Sequence, residues 1–231
     1  MLWRRSVLKI RWFGHSAFEI DADAGTVLLD PWINNLSSST KPEDIREASV
    51  IVVTHDHSDH VGETVPIAKR TGATVCAIPE LAAIFRKEGL KVHAPNMGSL
   101  TEVQGIKLAF VPAFHTSGTG LPTGAIVKLD EAVIYHMGDT SVFTDMSLVR
   151  DLYEPGIALV PIGGFYTMGP IEAVRALQIV RPDVAIPMHY GTFPVLVKDP
   201  SDFVMLAGKS CPEVKVVTLE PGETYETSGQ D

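Results

Sequence analysis

The chain has 231 residues, 45% of them apolar, and a formal net charge of −9. That length suits one large α/β domain with a substantial core. The acidic balance argues against a protein that holds nucleic acid mainly by charge, and no apolar run approaches the roughly 20 residues of a membrane span.

The N-terminus carries Arg4 and Arg5 with no apolar segment after them, so it reads as the approach to a first strand and not as a secretory signal. Residues 7–12, 17–20 and 26–29 predict a meander of three short strands, with a turn from Asp21 to Gly25. Asp30-Pro31 stops the third. Residues 32–41, rich in Asn and Ser, read as an irregular piece too polar for the core, a lid or a pocket wall. Residues 42–48 read as a short helix with Pro42 in its first turn. Then Val50-Ile51-Val52-Val53, apolar and β-branched, predicts a buried strand. It runs into Thr54-His55-Asp56-His57-Ser58-Asp59-His60.

Strand–helix alternation follows. The pattern predicts a helix over 63–70 ended by Gly72, a strand over 74–78, a helix over 79–87 ended by Gly89 and a short strand over 91–93. A strand over 106–111 leads to a loop with His115. A hairpin over 125–129 and 133–136 leads to Gly138-Asp139. A short helix over 147–152 and a strand over 157–161 come next. The helix over 170–180 shows an apolar stripe of Ile171, Val174, Leu177 and Ile179, read as core packing. A strand over 184–187 exits at His189, a helix covers 202–208, a last strand covers 214–219, and residues 221–231 read as a frayed tail. Each half begins with strands and passes into strand–helix units. That predicts one domain over 1–231, built of two sheets with helices on the outer faces. Cys76 and Cys211 are far apart, each among apolar residues, and read as two buried thiols of a reducing cytoplasm.

Three histidines and two aspartates within six residues are not explained by packing. Imidazole and carboxylate are ligands for zinc and other first-row divalent metals. In extended backbone His55 and His57 point the same way, and Asp59 and His60 come round on the turn that follows. His115, Asp139 and His189 each lie just past an apolar strand, beside Gly or Pro. Seven candidates, His55, His57, Asp59, His60, His115, Asp139 and His189, exceed one tetrahedral zinc. They suit two ions about 3.5–4 Å apart with one bridging carboxylate. Asp30 and Asp56 are candidates to accept the outer N–H of ligand imidazoles. His15, His136 and Tyr166 are candidates to stand behind the ligands or against substrate. Asn34 and Lys198 are lesser ones, and His93 reads as a surface residue.

The set His-x-His-x-Asp-His, a lone His, Gly-Asp-Thr and a final His resembles the metallo-β-lactamase superfamily. More narrowly, the chain is similar to the small metal-dependent hydrolases related to L-ascorbate-6-phosphate lactonase. The shared runs are Gly14-His15-Ser16-Ala17-Phe18, Asp30-Pro31-Trp32, Tyr135-His136-Met137-Gly138-Asp139-Thr140, Thr167-Met168-Gly169-Pro170 and Met188-His189-Tyr190-Gly191-Thr192. The resemblance implies a four-layer αββα sandwich with the site at one edge. It implies that His55, His57 and His115 hold one metal, that Asp59, His60 and His189 hold the other, and that Asp139 bridges. The loop Gly163-Gly164-Phe165-Tyr166 departs from that pattern, since relatives often carry an acidic or amide residue after the first Gly.

The expected activity is that of a binuclear metal-dependent hydrolase. A hydroxide held between two divalent ions attacks a small ester, lactone or phosphoester, with Asp59, His60 and Asp139 at the reacting centre. Zinc is the first choice of ion, and manganese, iron or nickel would accept the same ligands. The alternative is a phosphodiesterase or nuclease on the same scaffold, against which the charge and short chain weigh. The expected partner is a small molecule, with no membrane, no nucleic acid and room for a homo-oligomer. The expected location is the cytoplasm.

Overall fold

The computed structural model describes residues 7–227. The first six residues of the N-terminal reading and the last four of the expected tail lie outside them. The first half opens with β1 (Lys9–Gly14), β2 (Ala17–Ala22) and β3 (Gly25–Leu29), paired antiparallel. β4 (Val50–Val52), β5 (Thr74–Cys76) and β6 (Val92–His93) extend that sheet in parallel from β3. Between them run α1 (Ser58–Val61), α2 (Thr64–Thr71) and α3 (Pro79–Lys87).

The second half repeats the plan. β7 (Thr101–Val103), β8 (Ile106–Pro112), β9 (Thr123–Leu129) and β10 (Ala132–His136) are antiparallel. β11 (Ile157–Pro161), β12 (Val184–Met188) and β13 (Lys215–Val216) follow in parallel. Their crossovers hold α4 (Met146–Tyr153), α5 (Pro170–Val180) and α6 (Ser201–Ser210). β14 (Thr224–Glu226) returns to the first sheet and pairs antiparallel with β1. The result is two seven-stranded mixed sheets sharing one buried apolar cluster.

Local sequence explains the boundaries. Pro79 and Pro170 open α3 and α5, where no intrahelical N–H is needed. Gly72 closes α2 in the left-handed conformation at φ 76°. The parallel strands β11 and β12 are buried throughout, as strands covered on both faces must be. β1 and β2 show the half-buried alternation of antiparallel strands, with Ile10, Trp12, Phe18 and Ile20 inward.

Several expectations are corrected. The helix over 42–48 is only a 3₁₀ turn, Pro42–Asp44. Asp59 and His60 ride on a separate short helix, α1, not on a turn. The strand β7 went unread, and the strand expected over 214–219 shrinks to two residues. The tail is not frayed over 221–227, because β14 covers the edge of β1 and buries Tyr225. Residues 32–41 are not all outside the core: Ile33 is buried, and buried Asn35 donates Nδ2 to the carbonyls of Phe13 and Trp32, each at 2.9 Å. Ile171 does not belong to the packed face of α5. It is 72% exposed, while Ala173, Val174, Ala176, Leu177 and Val180 are buried. Cys76 and Cys211 are both buried and unpaired.

Parallel strands leave their carboxyl ends side by side, where ligand sites form in open α/β sheets. β3, β4, β10 and β12 end in residues that carry the candidate chemistry.

Candidate metal centre

The exit of β4 is organised by a carboxylate from the exit of β3. Asp30 is fully buried. Its Oδ1 accepts the Thr54 backbone N–H at 2.8 Å, and its Oδ2 accepts the Thr54 hydroxyl at 2.7 Å. With its proton given to Asp30, the Thr54 hydroxyl is an acceptor for His55 Nδ1 at 3.0 Å. That places the His55 proton on Nδ1 and leaves a lone pair on Nε2. His55 Nε2 lies 3.0 Å from His57 Nδ1. Two donor nitrogens bound to a tetrahedral zinc at about 2.0–2.1 Å would sit about 3.3 Å apart, close to what is found.

The same Asp30 Oδ2 accepts His60 Nδ1–H at 2.7 Å. The free His60 Nε2 points to Asp139 Oδ1 at 3.1 Å, misaligned for a hydrogen bond, and neither atom has another partner. Asp139 follows Gly138, whose φ of 62° and close approach to the Thr123 carbonyl leave no room for a Cβ. Asp139 Oδ2 is 3.0 Å from His189 Nε2 and 3.5 Å from His115 Nε2. Both ring nitrogens of His189 are buried without a hydrogen-bond partner.

The His115 loop is fastened by Asp56, whose Oδ1 accepts Ser117 Oγ at 3.0 Å and the Gly118 N–H at 2.8 Å. Asp56 therefore holds a loop and not an imidazole. His15, in the turn between β1 and β2, bonds Thr192 through Nδ1 and Asp59 through Nε2. His136 donates Nε2–H to the Ser16 carbonyl at 2.9 Å and accepts the Gly138 N–H on Nδ1 at 3.1 Å. It is a fully bonded core histidine, 3.9 Å from Asp30 Oδ2. Tyr166 is half exposed, with its ring against Phe165, and is not bonded to this cluster. Asn34 is held by Glu63, Lys198 is exposed, and His93 is half-buried with Nε2 on Thr101 Oγ1 at 2.9 Å.

The structure brings all seven candidate ligands together and adds His15. Ligand atoms of His55, His57, His115 and Asp139 lie within 4.8 Å of one another, and those of His15, Asp59, His60 and His189 form a second such group. His15, Asp30 and His189 all have positive φ, of 50°, 42° and 59°. Outside glycine that conformation is uncommon, and it gathers at sites that the surrounding fold over-determines. The residues that reading the sequence missed are hydroxyls, Thr54 and Thr192. Thr54 left one signal, as the lone polar side chain between a buried apolar strand and the first ligand.

Electrostatics favour a cation. Burial, then the nearby His60, pushes His55 down to about 3, and burial pushes His15 down to about 4. Burial also lowers His115. Burial opposes charge on Asp139, yet His189 and His60 outweigh it and hold the carboxyl well below the usual carboxylate range. Burial likewise opposes charge on Asp59, and the His15 hydrogen bond outweighs it. Burial opposes a proton on His60, but Asp139 and Asp30 raise it well above the ordinary value. In the metal-free cluster the raised His60 carries the proton that balances the buried Asp139 and Asp30, a positive charge that a bound metal ion would supply in its place.

The chain is similar to known proteins over nearly its whole length. The model of the beta-lactamase superfamily domain matches residues 9–189. The UPF0173 metal-dependent hydrolase of Thermofilum pendens is 44% identical over 225 residues, covering 94% of this chain and 98% of that protein. The solved structure of Igni18, a metallo hydrolase of the hyperthermophilic archaeon Ignicoccus hospitalis, matches with a TM-score of 0.91 at 38% identity, covering 96% of this chain and 99% of that one. The metallo-beta-lactamase fold protein YhfI of Bacillus subtilis matches with a TM-score of 0.74 at 11% identity, covering 96% and 100%, a likeness of fold alone.

Proposed function

Because the chain belongs to the beta-lactamase superfamily and, within it, to the UPF0173 metal-dependent hydrolases, we propose that it is a binuclear metallohydrolase acting on a small ester, lactone or phosphoester. The observation that carries this reading is the pair of ligand groups meeting at Asp139, with His60 Nε2, Asp139 Oδ1 and both His189 nitrogens buried and unpartnered. His55, His57 and His115 would hold one ion, and Asp59, His60 and His189 the other, with Asp139 between them. Zinc is the ion these ligands suit first, and manganese, iron or nickel would fit the same donors. When bound, such ions supply Lewis acidity and bring the pKa of water towards about 7.

The chain's own residues do the rest. Asp30 and Thr54 hold the His60 and His55 protons on Nδ1, so that both Nε2 atoms keep their lone pairs. Trp32 and Phe193, stacked at 5.7 Å, wall the side of His15, and exposed Phe114 stands next to His115. Among the described residues no Lys or Arg side chain is hydrogen-bonded to the cluster or paired with it. An aromatic wall without a basic patch supports a small substrate over a nucleic acid.

The test is elemental analysis of the purified protein together with a hydrolysis screen of lactones, thioesters and phosphodiesters. We expect about two metals per chain and loss of turnover on chelation, restored by metal. Full hydrolysis by metal-stripped protein would refute the reading.

A further inference from the structure

We infer that His15 is not a metal ligand but the positioning residue of Asp59, braced by Thr192. The inference rests on the binuclear reading and goes beyond it, because His15 lies within ligand distance of Asp59, His60 and His189 and could pass for a further donor to that ion beside the bridging Asp139.

Proton counting separates the two roles. A neutral imidazole has one N–H and one lone pair. His15 Nε2 lies 3.0 Å from Asp59 Oδ2, and a carboxylate only accepts, so the proton sits on Nε2. Nδ1 is then the acceptor, and it receives the Thr192 hydroxyl at 2.6 Å. Both positions of the ring are used, and no lone pair remains for an ion. His60 is the contrast within the same group. Asp30 takes its Nδ1–H, and Nε2 is left without a hydrogen-bond partner, open to an ion.

The ring is also held in one orientation. Trp32 and Phe193 meet it edge-on at 5.1 and 5.4 Å, and the His189 ring lies 4.0 Å away. The His15 carbonyl accepts Trp12 Nε1–H at 2.9 Å and the His189 backbone N–H at 3.0 Å. The same residue therefore ties the turn between β1 and β2 to the loop that carries His189, and it keeps φ at 50° to do so. The chain Thr192 O–H to His15 to Asp59 fixes one carboxylate oxygen and leaves the other for the second ion. Asp59 is the ligand in need of such support, since its side chain is 20% exposed while those of His60 and His189 are at most 1% exposed.

The experiment compares wild type, His15→Gln, His15→Ala and Thr192→Val. Each is stripped of metal, reloaded with cobalt at chelator-buffered concentrations, and followed by elemental analysis and the visible cobalt spectrum. Loss of a residue that orients a ligand weakens metal binding about 10–100-fold. We expect that loss for the second ion alone in His15→Ala and a smaller one in Thr192→Val. His15→Gln, whose amide N–H reaches the position of Nε2, should restore most of the affinity and the wild-type spectrum of the second ion. If His15→Gln lost the second ion as fully as His15→Ala, His15 would be a ligand and the inference would fall. Two ions bound with unchanged affinity in His15→Ala and Thr192→Val would also overturn it, as would an equal loss of both ions. Fewer than two ions in wild type would instead overturn the binuclear reading on which it rests.

Discussion

Asp30 shows how much one buried side chain governs here. Its two oxygens take the Thr54 N–H, the Thr54 hydroxyl and His60 Nδ1–H, and through Thr54 they set the proton of His55. One residue thus presents a ligand nitrogen to each proposed ion. Asp30→Ala should weaken both ions by about 10–100-fold, read as metal per chain after dialysis against chelator-buffered zinc. Asp139→Ala should empty both positions, whereas His93→Ala, whose imidazole bonds Thr101 Oγ1 and is not part of the cluster, should leave the metal content unchanged. The seven ligand candidates were legible because histidine and aspartate at strand exits have no packing motive. Thr54 and Thr192 were not, because a threonine beside a strand is ordinary and only its hydrogen bond reveals its task. Asp56 misled for a related reason: its carboxylate lies among ligands in sequence but turns to the His115 loop.

At the scale of elements, periodicity carried the long pieces. α3 and α5 keep the bounds that Pro and the apolar spacing predict, and the strands that lead to the ligand candidates all form. The short edge pieces failed. β7, β13 and β14 owe their existence to a neighbour strand, and a two- or three-residue segment holds too little pattern to announce that. Ile171 failed differently. It satisfies the spacing of the α5 stripe, yet in the first turn of the helix it faces solvent. Two substitutions separate the faces of α5. Leu177→Ala, at a fully buried position, should cost about 2–5 kcal/mol. Ile171→Ser should stay within about 0.5 kcal/mol. Urea unfolding of metal-loaded protein at one fixed metal concentration measures both, since bound metal itself shifts stability.

For the molecule as a whole, the two halves close on a cluster of buried ionisable groups, and this ties folding to pH. The relevant state is the chelated protein. His15 and His55 titrate at about 4 and about 3 when folded, against about 6.5 when unfolded. Between pH 6.5 and 4 the unfolded chain therefore binds protons that the folded chain refuses, and stability falls as the pH drops. Burial lowers His115 and His136 as well, which acts in the same direction. His60 is raised, so its contribution is fully present below about 6.5 and lost only as pH rises through its folded value. It adds no slope in the acid window. Asp30, Asp59 and Asp139 are lowered, and their contribution is lost only as pH falls through the carboxylate range. Each refused proton costs about 1.4 kcal/mol per pH unit. The melting temperature of chelated protein should therefore drop steadily from pH 6.5 to 4.5. In His15→Gln, which removes one refusing imidazole, the drop should be shallower by about one proton's worth. A flat profile in both proteins would mean that these imidazoles already carry protons in the fold, and that the cluster is wetter than its geometry requires.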